Sequence, residues 1–361
     1  MLDDLKIIRG AGGSKGGSGG QIATDTLASR QFAKIVIAVS EGEVEGLVGA
    51  MQGVYFDGVP LENPDGTYNF SGVSFYFQPG TQSQPYVPGF SDVENEVAVN
   101  LEIYNSSPLV RTITDPNANA VRVTVNLPAI YYTNTKNGDV TGSSVVVAID
   151  IQTNGGGFVQ TIYDTISGKS SAAYDRSYLI NLDGVGPWDI RVRRVTADGT
   201  TGNPVNVINW ASYTEIINAK LSYPNTATAY VTVDSGQFQS VPAVAFNLKG
   251  LLIQVPSNYD PVARTYTGAW DGTFKIAWSN NPAWCFYDLL TATRYGLGNF
   301  VAASQVDKWA LYTIAQYCDG LVPDGFGGTE PRFTLNAYIQ NYADAFKVLQ
   351  DLASDFRGMP F

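Results

Sequence analysis

The chain has 361 residues, 44% of them hydrophobic, and 22 Lys and Arg against 33 Asp and Glu give a net charge of −11. Charged side chains are 15% of the total, against about 25% in an average soluble protein, and 21 Tyr, 17 Phe and 6 Trp go with them. This excludes bulk disorder, which needs low hydrophobicity and high charge, and about 150 residues per domain predicts two or three domains.

The acidic balance argues against general nucleic-acid binding, which depends on cations meeting phosphates, and against anionic membrane surfaces. The chain has no His, so Ser-His-Asp and Cys-His triads, HExxH zinc sites and His general bases are removed. Cys285 and Cys318 are the two cysteines; they form no CxxC pair and no disulfide framework.

From the N-terminus, Asp3, Asp4, Lys6 and Arg9 precede no apolar run of signal-peptide length. The longest apolar runs, near 35–39 and 145–149, fall well short of the ~20 residues of a membrane helix. A soluble chain made in a cytoplasm is expected. Residues 10–20 read GAGGSKGGSGG, seven glycines in eleven. Residues 1–30 are therefore expected as a flexible arm, either free or ordering on a neighbouring subunit, with the ordered chain starting near Phe32.

From there to about residue 250 the strand period dominates. Val73, Phe75 and Phe77 alternate with Ser74 and Tyr76. Val99, Leu101 and Ile103 alternate with Asn100 and Glu102, and Val121, Val123, Val125 and Leu127 with Arg122, Thr124 and Asn126. One buried and one wet face predict antiparallel sheet. Asp57-Gly58, Asp65-Gly66, Asn137-Gly138, Asn154-Gly155, Asp183-Gly184 and Asp198-Gly199 supply the turns. Short runs at 145–151, 158–163, 178–182, 190–195 and 210–216 predict a small sandwich, with Trp188 or Trp210 as core anchor.

After residue 270 the period becomes helical. Asn281-Pro282 predicts an N-cap and first turn, with Gly296 closing that segment. Ser304 with Asp307 three residues on predicts a weakened capping box for a second helix, which Gly320 stops. Phe346, Leu349, Leu352, Ala353 and Phe356 mark a third, between Asn341 and Gly358. The chain stops at Phe361 just beyond, and a piece of a longer protein is expected.

Few residues point to chemistry. Glu41, Glu43 and Glu45 alternate in SEGEVEG and, if extended, can present three oxygen ligands on one face; a solvated edge is the expected reading. Carboxylates and aromatics together are compatible with a glycosidase, but no pair stands out. Residues 325–328 in PDGFGGTEPRF are glycine-rich but lack the GK[ST] ending of a phosphate loop. Arg191, Arg193 and Arg194 form the strongest basic cluster, to be paired across the sheet or offered to an acidic partner. Cys285 and Cys318 are expected as buried thiols. No catalytic, cofactor-binding or metal residue is assigned.

Longer strings carry a resemblance. SEGEVEGLVGAMQGVYFDGVPLENPDGTYNFSGVSFYFQPGTQSQ (40–84), WASYTEII (210–217), YPNTATAYVTVDSGQF (223–238), LLIQVPSNYDP (251–261), WDGTFKIAWSNNPAWCFYDLLTATRYGLG (270–298) and DKWALYTIAQYCDGLVPDGFGGTEPRF (307–333) occur in order. Over about residues 30–361 the chain resembles the tail-tip, or host-specificity, protein J family of lambda-like siphophages. The resemblance implies a trimeric hub at the distal end of the phage tail, assembled in the host cytoplasm. Two tube-like β domains per chain would let three copies imitate a six-fold ring. Implied partners are the distal tail or tube protein, the C-terminal end of the tape-measure protein, and small tail-tip proteins, one carrying an iron–sulfur cluster. The cluster's ligands would belong to that partner. The host receptor would be met only through a C-terminal part not in this chain, and DNA would pass without specific binding, repelled by an acidic lumen. The family implies no catalytic residues and no cofactor.

The expected architecture is mainly β with a helical C-terminal part. A first hub domain occupies 31–92 with returning strands at about 218–250. A fibronectin-like sandwich is inserted over 93–217, and a helix-containing hub domain, cut short, fills 251–361. The rival functions are a glycan-binding adhesin, which should carry an export signal, and a glycan-degrading phage enzyme, which needs a carboxylate pair in a cleft.

Overall fold

The structure, a computed structural model, describes residues 20–29, 32–90, 92–199, 201–238, 240–339 and 345–358. They divide into two compact units. One joins residues 20–29 to Ser91–Ala219; the other joins Gln31–Phe90 to Lys220–Phe361, so far as these are described.

Alternation builds the first unit. In Ala120–Leu127 the residues Val121, Val123, Val125 and Leu127 are fully buried, while Arg122, Thr124 and Asn126 between them are half-exposed. This strand lies in a four-stranded antiparallel sheet in the order Tyr174–Asn181, Ala120–Leu127, Asn209–Asn218, Asp92–Glu102. A second sheet runs Val159–Gly168, Ser143–Thr153, Trp188–Arg194, Leu109–Ile113. The inward faces share one core, in which Val145, Val147, Ile149, Ile190 and Val192 meet the valines of the first sheet. Both candidate tryptophans are buried there, and each indole N–H is satisfied: Trp188 Nε1 donates to the Asp183 carbonyl at 3.0 Å and Trp210 Nε1 to the Ser212 carbonyl at 2.9 Å. Leaving a buried indole N–H unpaired would cost about 1–3 kcal/mol.

The expected register fails at Leu101, which is 44% exposed. Pairing with Asn209–Asn218 shifts between Trp210 and Ser212, opposite Leu101 and Ala98, and Asn100 takes φ +49°. The two strands carry unequal numbers of residues here, a β-bulge, and a strict period of two does not run through it. Asn154-Gly155 has positive φ at both residues, as a tight hairpin demands. Asp198-Gly199 does not adopt that turn; Asp198 instead accepts from the Asn105 backbone N–H at 2.9 Å. Residues 20–29, expected within the flexible arm, lie along this unit, bonded to Asp139, Val140 and Lys169.

In the second unit, Thr226–Asp234 is the centre of a three-stranded sheet between Phe32–Glu41 and Ser74–Gln78. The pairing runs from Phe32 opposite Asp234 to Glu41 opposite Thr226. Val54, Phe56, Val231 and Val233 form the core beneath, with Phe70 and Phe238 against Phe56. The first unit is thus threaded, in sequence, between paired strands of the second. Its own ends close on each other, since Asp92 pairs with Asn218. On the second unit the buried Gln84 side chain closes the same gap. Its Nε2 donates to the carbonyls of Tyr223 at 2.6 Å and Thr226 at 2.9 Å, while its Oε1 accepts from Gly80 N–H at 2.9 Å.

The boundary expected at 250/251 falls inside a strand. Leu248–Pro256 pairs with Val44–Leu47 through its first half and with Phe274–Trp278 through its second. Pairing of one strand on both sides keeps the helical region in the same unit. A second core gathers Trp270, Trp284, Tyr259, Tyr287, Leu311 and Ala315.

Helix Pro282–Thr291 begins as expected, with Asn281 Oδ1 accepting from Ala283 N–H at 3.0 Å. It ends at Thr291 rather than Gly296. The following turn folds back, and Leu297 N–H donates to the Leu289 carbonyl at 2.8 Å, an acceptor the helix end leaves open. Ser304 is not the cap of the second helix; it lies in a 3-10 turn, Ala303–Gln305. Asp307 is the cap of Lys308–Asp319, accepting from Trp309 and Ala310 N–H at 3.1 and 3.0 Å. The third helix is Ala345–Ser354, and Arg357, at φ +59°, takes the left-handed position expected of Gly358. Asn341 lies outside the described residues. No sheet among the described residues closes on itself.

Trp210→Ala is expected to cost about 3–5 kcal/mol, the cavity penalty for a large core ring, measured by chemical denaturation. A loss below 1 kcal/mol would show that the ring is not a core anchor.

Candidate functional site

The sequence offers the triple glutamate, the arginine cluster, the two thiols and the PDGFGG loop, and the structure accounts for each. Gly42 at φ +95° ends the first strand, so Glu41 and Glu45 lie on different strands. Glu41 pairs with Arg294, and Glu45 with Lys249 at 3.1 Å. Among the described residues no three His, Cys, Asp or Glu side chains converge as metal ligands would.

Arg191 lies directly across the strand pair from Asp150, and Arg193 lies diagonally to it. Their Nε atoms approach one Asp150 oxygen at 2.8 and 2.6 Å, and Arg193 Nη2 donates to the other at 2.8 Å. Asp150 is 1% exposed. Burial alone would raise its pKa, but the two guanidiniums outweigh it and hold the carboxyl below its ordinary value. Arg194, on the opposite face, is buried. It donates from Nη1 to the Asn206 carbonyl at 2.9 Å and from Nε to the Thr196 carbonyl at 3.0 Å. The cluster is therefore spent within the chain and is not a free basic patch.

Both thiols sit on helices. Burial, with Asp288 nearby, pushes Cys285 up to about 12, and burial with Asp319 nearby pushes Cys318 up to about 11. At neutral pH neither supplies the thiolate that metal binding or nucleophilic attack requires. The glycine-rich residues form the tip of the hairpin Leu321–Pro323 with Thr329–Pro331. Asp324 Oδ1 accepts from Phe326 and Gly328 N–H at 2.8 and 2.9 Å, and Phe326 stands 97% exposed at the tip.

Two buried carboxylates of the helical region had no signal in local spacing. Asp319 ends the second helix, 2.6 Å from Arg264 Nε and accepting from Tyr266 OH at 2.8 Å and Tyr259 OH at 3.3 Å. Asp288 accepts from Tyr295 OH at 2.6 Å and from Gln254 N–H at 3.3 Å. Burial raises both pKa values, more than the hydrogen bonds lower them. Their partners lie 7 to 60 residues away, and each carboxylate ties a helix to a neighbouring strand or turn.

Several large apolar side chains also face outward. Val159 and Tyr163 on one edge strand of the sandwich, and Leu179 on another, are each about 60% exposed or more. Ile276, Phe300 and Phe326 are exposed on the second unit.

Residues 93–219, the sandwich, match the family model described as the FNIII-A domain of tip attachment protein J. The chain is 42% identical over 358 residues to tip attachment protein J of Escherichia phage SECphi27, covering 97% of this chain and 30% of that protein. It is likewise 42% identical over 365 residues to tip attachment protein J of Escherichia phage SECphi4, covering 98% and 32%. The chain belongs to the tip attachment protein J family. It spans about a third of the length of these relatives. Among solved structures, a chain of the lipid-containing bacteriophage PM2 aligns with TM-score 0.24 and 10% identity over 58% of this chain and 74% of that one, a likeness too weak to carry an argument. No described helix is long and apolar enough to cross a membrane.

Two predictions follow the charges. Asp150→Asn should cost about 1–3 kcal/mol, the penalty for leaving charged donors short of their acceptor, discounted because both arginines are about a third exposed. The wild-type contribution is present above the unfolded Asp pKa of about 3.9 and is lost as pH falls through the lower folded value. Denaturation of wild type and variant between pH 7 and pH 3 should therefore converge toward acid. Asp288 has the opposite sign: protonation favours the folded form, and this contribution is lost as pH rises through the raised pKa. Asp288→Asn should leave neutral-pH stability equal or higher and flatten its decline as pH rises above the unfolded Asp pKa of about 3.9; a Tm lower at pH 7 but unchanged at pH 4 contradicts this.

Proposed function

We propose that this chain is the scaffold portion of a phage tail-tip attachment protein, acting by contact rather than catalysis. It closes the distal end of the tail tube, anchors the receptor-binding part of the protein, and opens to let tape measure and DNA leave. The observation that carries this reading is the relationship to two tip attachment proteins along 97% and 98% of the chain, with the FNIII-A domain at 93–219.

The physical features support it. Cationic side chains that the sequence offered as a patch are paired internally, while apolar side chains and open sheet edges face outward. Subunit interfaces are enriched in aromatics and depleted in Lys, Glu and Asp, which matches the composition. Open edges such as Phe32–Glu41 offer backbone groups to an adjoining strand. In this reading three copies form the hub, with the second unit contributing tube-like walls. They contact the distal tail or tube protein, the tape-measure C-terminus and the small tail-tip proteins. The net charge of −11 keeps DNA from adhering to the channel. Opening requires that receptor engagement stabilise the open subunit contacts over the closed ones, since a signal with equal affinity for both shifts nothing.

A particle reconstruction tests this. Three copies at the distal end of the tail, with acidic side chains on the channel wall, are expected. Six copies, a location elsewhere in the virion, or turnover of host cell-wall sugars by the chain contradicts it.

A further inference from the structure

Residues 20–29 lie before the stretch that matches the FNIII-A model, yet they are bonded to it as a ligand is to a site. At one end Ala23 N–H donates to the Val140 carbonyl at 2.9 Å and Val140 N–H donates to the Gln21 carbonyl at 2.8 Å. In the middle Thr26 N–H donates to the Lys169 carbonyl at 2.8 Å, and Lys169 N–H returns a bond to Thr26 Oγ1 at 3.0 Å. At the far end Asp175 N–H donates to Ser29 Oγ at 2.8 Å.

The centre of the contact is a carboxylate site. The Lys169 side chain is 5% exposed, and its Nζ donates to Asp25 Oδ1 at 2.5 Å and to Ser171 Oγ at 2.9 Å. Ser171 adds its N–H to Asp25 Oδ2 and its hydroxyl to Oδ1, both at 3.1 Å. The ammonium, a backbone N–H and a hydroxyl all converge on one carboxylate. Gly168 makes the approach possible. At φ +149° it carries no side chain where a Cβ would stand 2.7 Å from Thr26 Oγ1 and 2.9 Å from Leu27 Cγ. A buried ammonium needs a counter-charge, and Asp25 is the carboxylate bonded to this one. Of the strap itself only Leu27 is half-buried, and the rest is exposed. Hydrogen bonds and one ion pair hold most of it, with Leu27 packed against the sandwich core.

We propose that the sandwich carries a peptide groove that reads an Asp-Thr-Leu strand through Lys169, Ser171 and Gly168, and that residues 21–29 of this chain are its built-in occupant. The functional domain is then the strap plus the sandwich. Its hold is mostly polar and therefore releasable, and a released groove takes the same segment offered in trans.

Hydrogen exchange on the full chain tests this, with wild type, Asp25→Ala and Lys169→Met compared. In wild type the amides of Thr26, Leu27 and Ser171 should be protected. Both variants should speed their exchange tenfold or more while Val123 and Ile149 amides in the core stay protected. A synthetic peptide of residues 20–29, added to the Asp25→Ala chain, should restore protection at Lys169 and Ser171; the same peptide with Asn in place of Asp25 should not. Free-peptide exchange rates for the strap in wild type would overturn the proposal. So would unchanged protection in Asp25→Ala, or equal action of the two peptides. Loss of core protection in both variants would overturn it as well, because the strap would then be fold, not occupant.

Discussion

The structure depends on a closure. Thr226–Asp234 completes the central sheet of the second unit between Phe32–Glu41 and Ser74–Gln78, although the sandwich domain of residues 93–219 intervenes in sequence. Joining the ends of a flexible loop of that length costs about 4 kcal/mol beyond a constant term. The cost is offset inside the sandwich, because Asp92 and Asn218 are strand partners and its ends already lie together. On the other unit the buried Gln84 bonds the returning segment at Tyr223 and Thr226. Each unit thus holds its own side of the gap, and either can be built without relying on the other's core.

This separation shapes how charge is used. In the sandwich, Asp150 is gripped by two arginines, Lys169 by the strap's Asp25, and Arg194 by backbone carbonyls. In the helical region Asp319 and Asp288 tie helices to neighbouring strands and turns. Alongside the exposed charged side chains, aromatics and β-branched residues also face outward. A chain built this way is suited to being covered by neighbours. This fits the contact role proposed above, in which interfaces are depleted in Lys, Glu and Asp.

Local physics made much of the fold legible. The period of two in Ala120–Leu127 was decisive because the extra residue in its pairing lies on the partner strand, and Asn281-Pro282 was decisive because cap and first-turn preferences coincide. The failures are non-local. Leu101 sits at a bulge that appears only in the pairing with a strand more than a hundred residues away. Ser304 and Asp307 both have cap chemistry, and the choice between them depends on where the preceding turn ends. Gly296 reads as a stop but belongs to a turn that feeds an N–H back to the helix end. Asp25 and Lys169 are 144 residues apart, and nothing in either neighbourhood announces the other. The arginine cluster and pairing across the sheet as one of its two uses were legible, but the partner was not, since Asp150 becomes it only through strand register.

The most direct test of the closure is to remove what it spans. In a chain where residues 92–218 are replaced by a short Asn-Gly link, hydrogen exchange should find the amides of Phe32–Glu41 and Thr226–Asp234 as protected as in the intact chain. Loss of that protection, with the sheet exchanging as an unfolded segment, would contradict the account that each unit holds its own side of the gap.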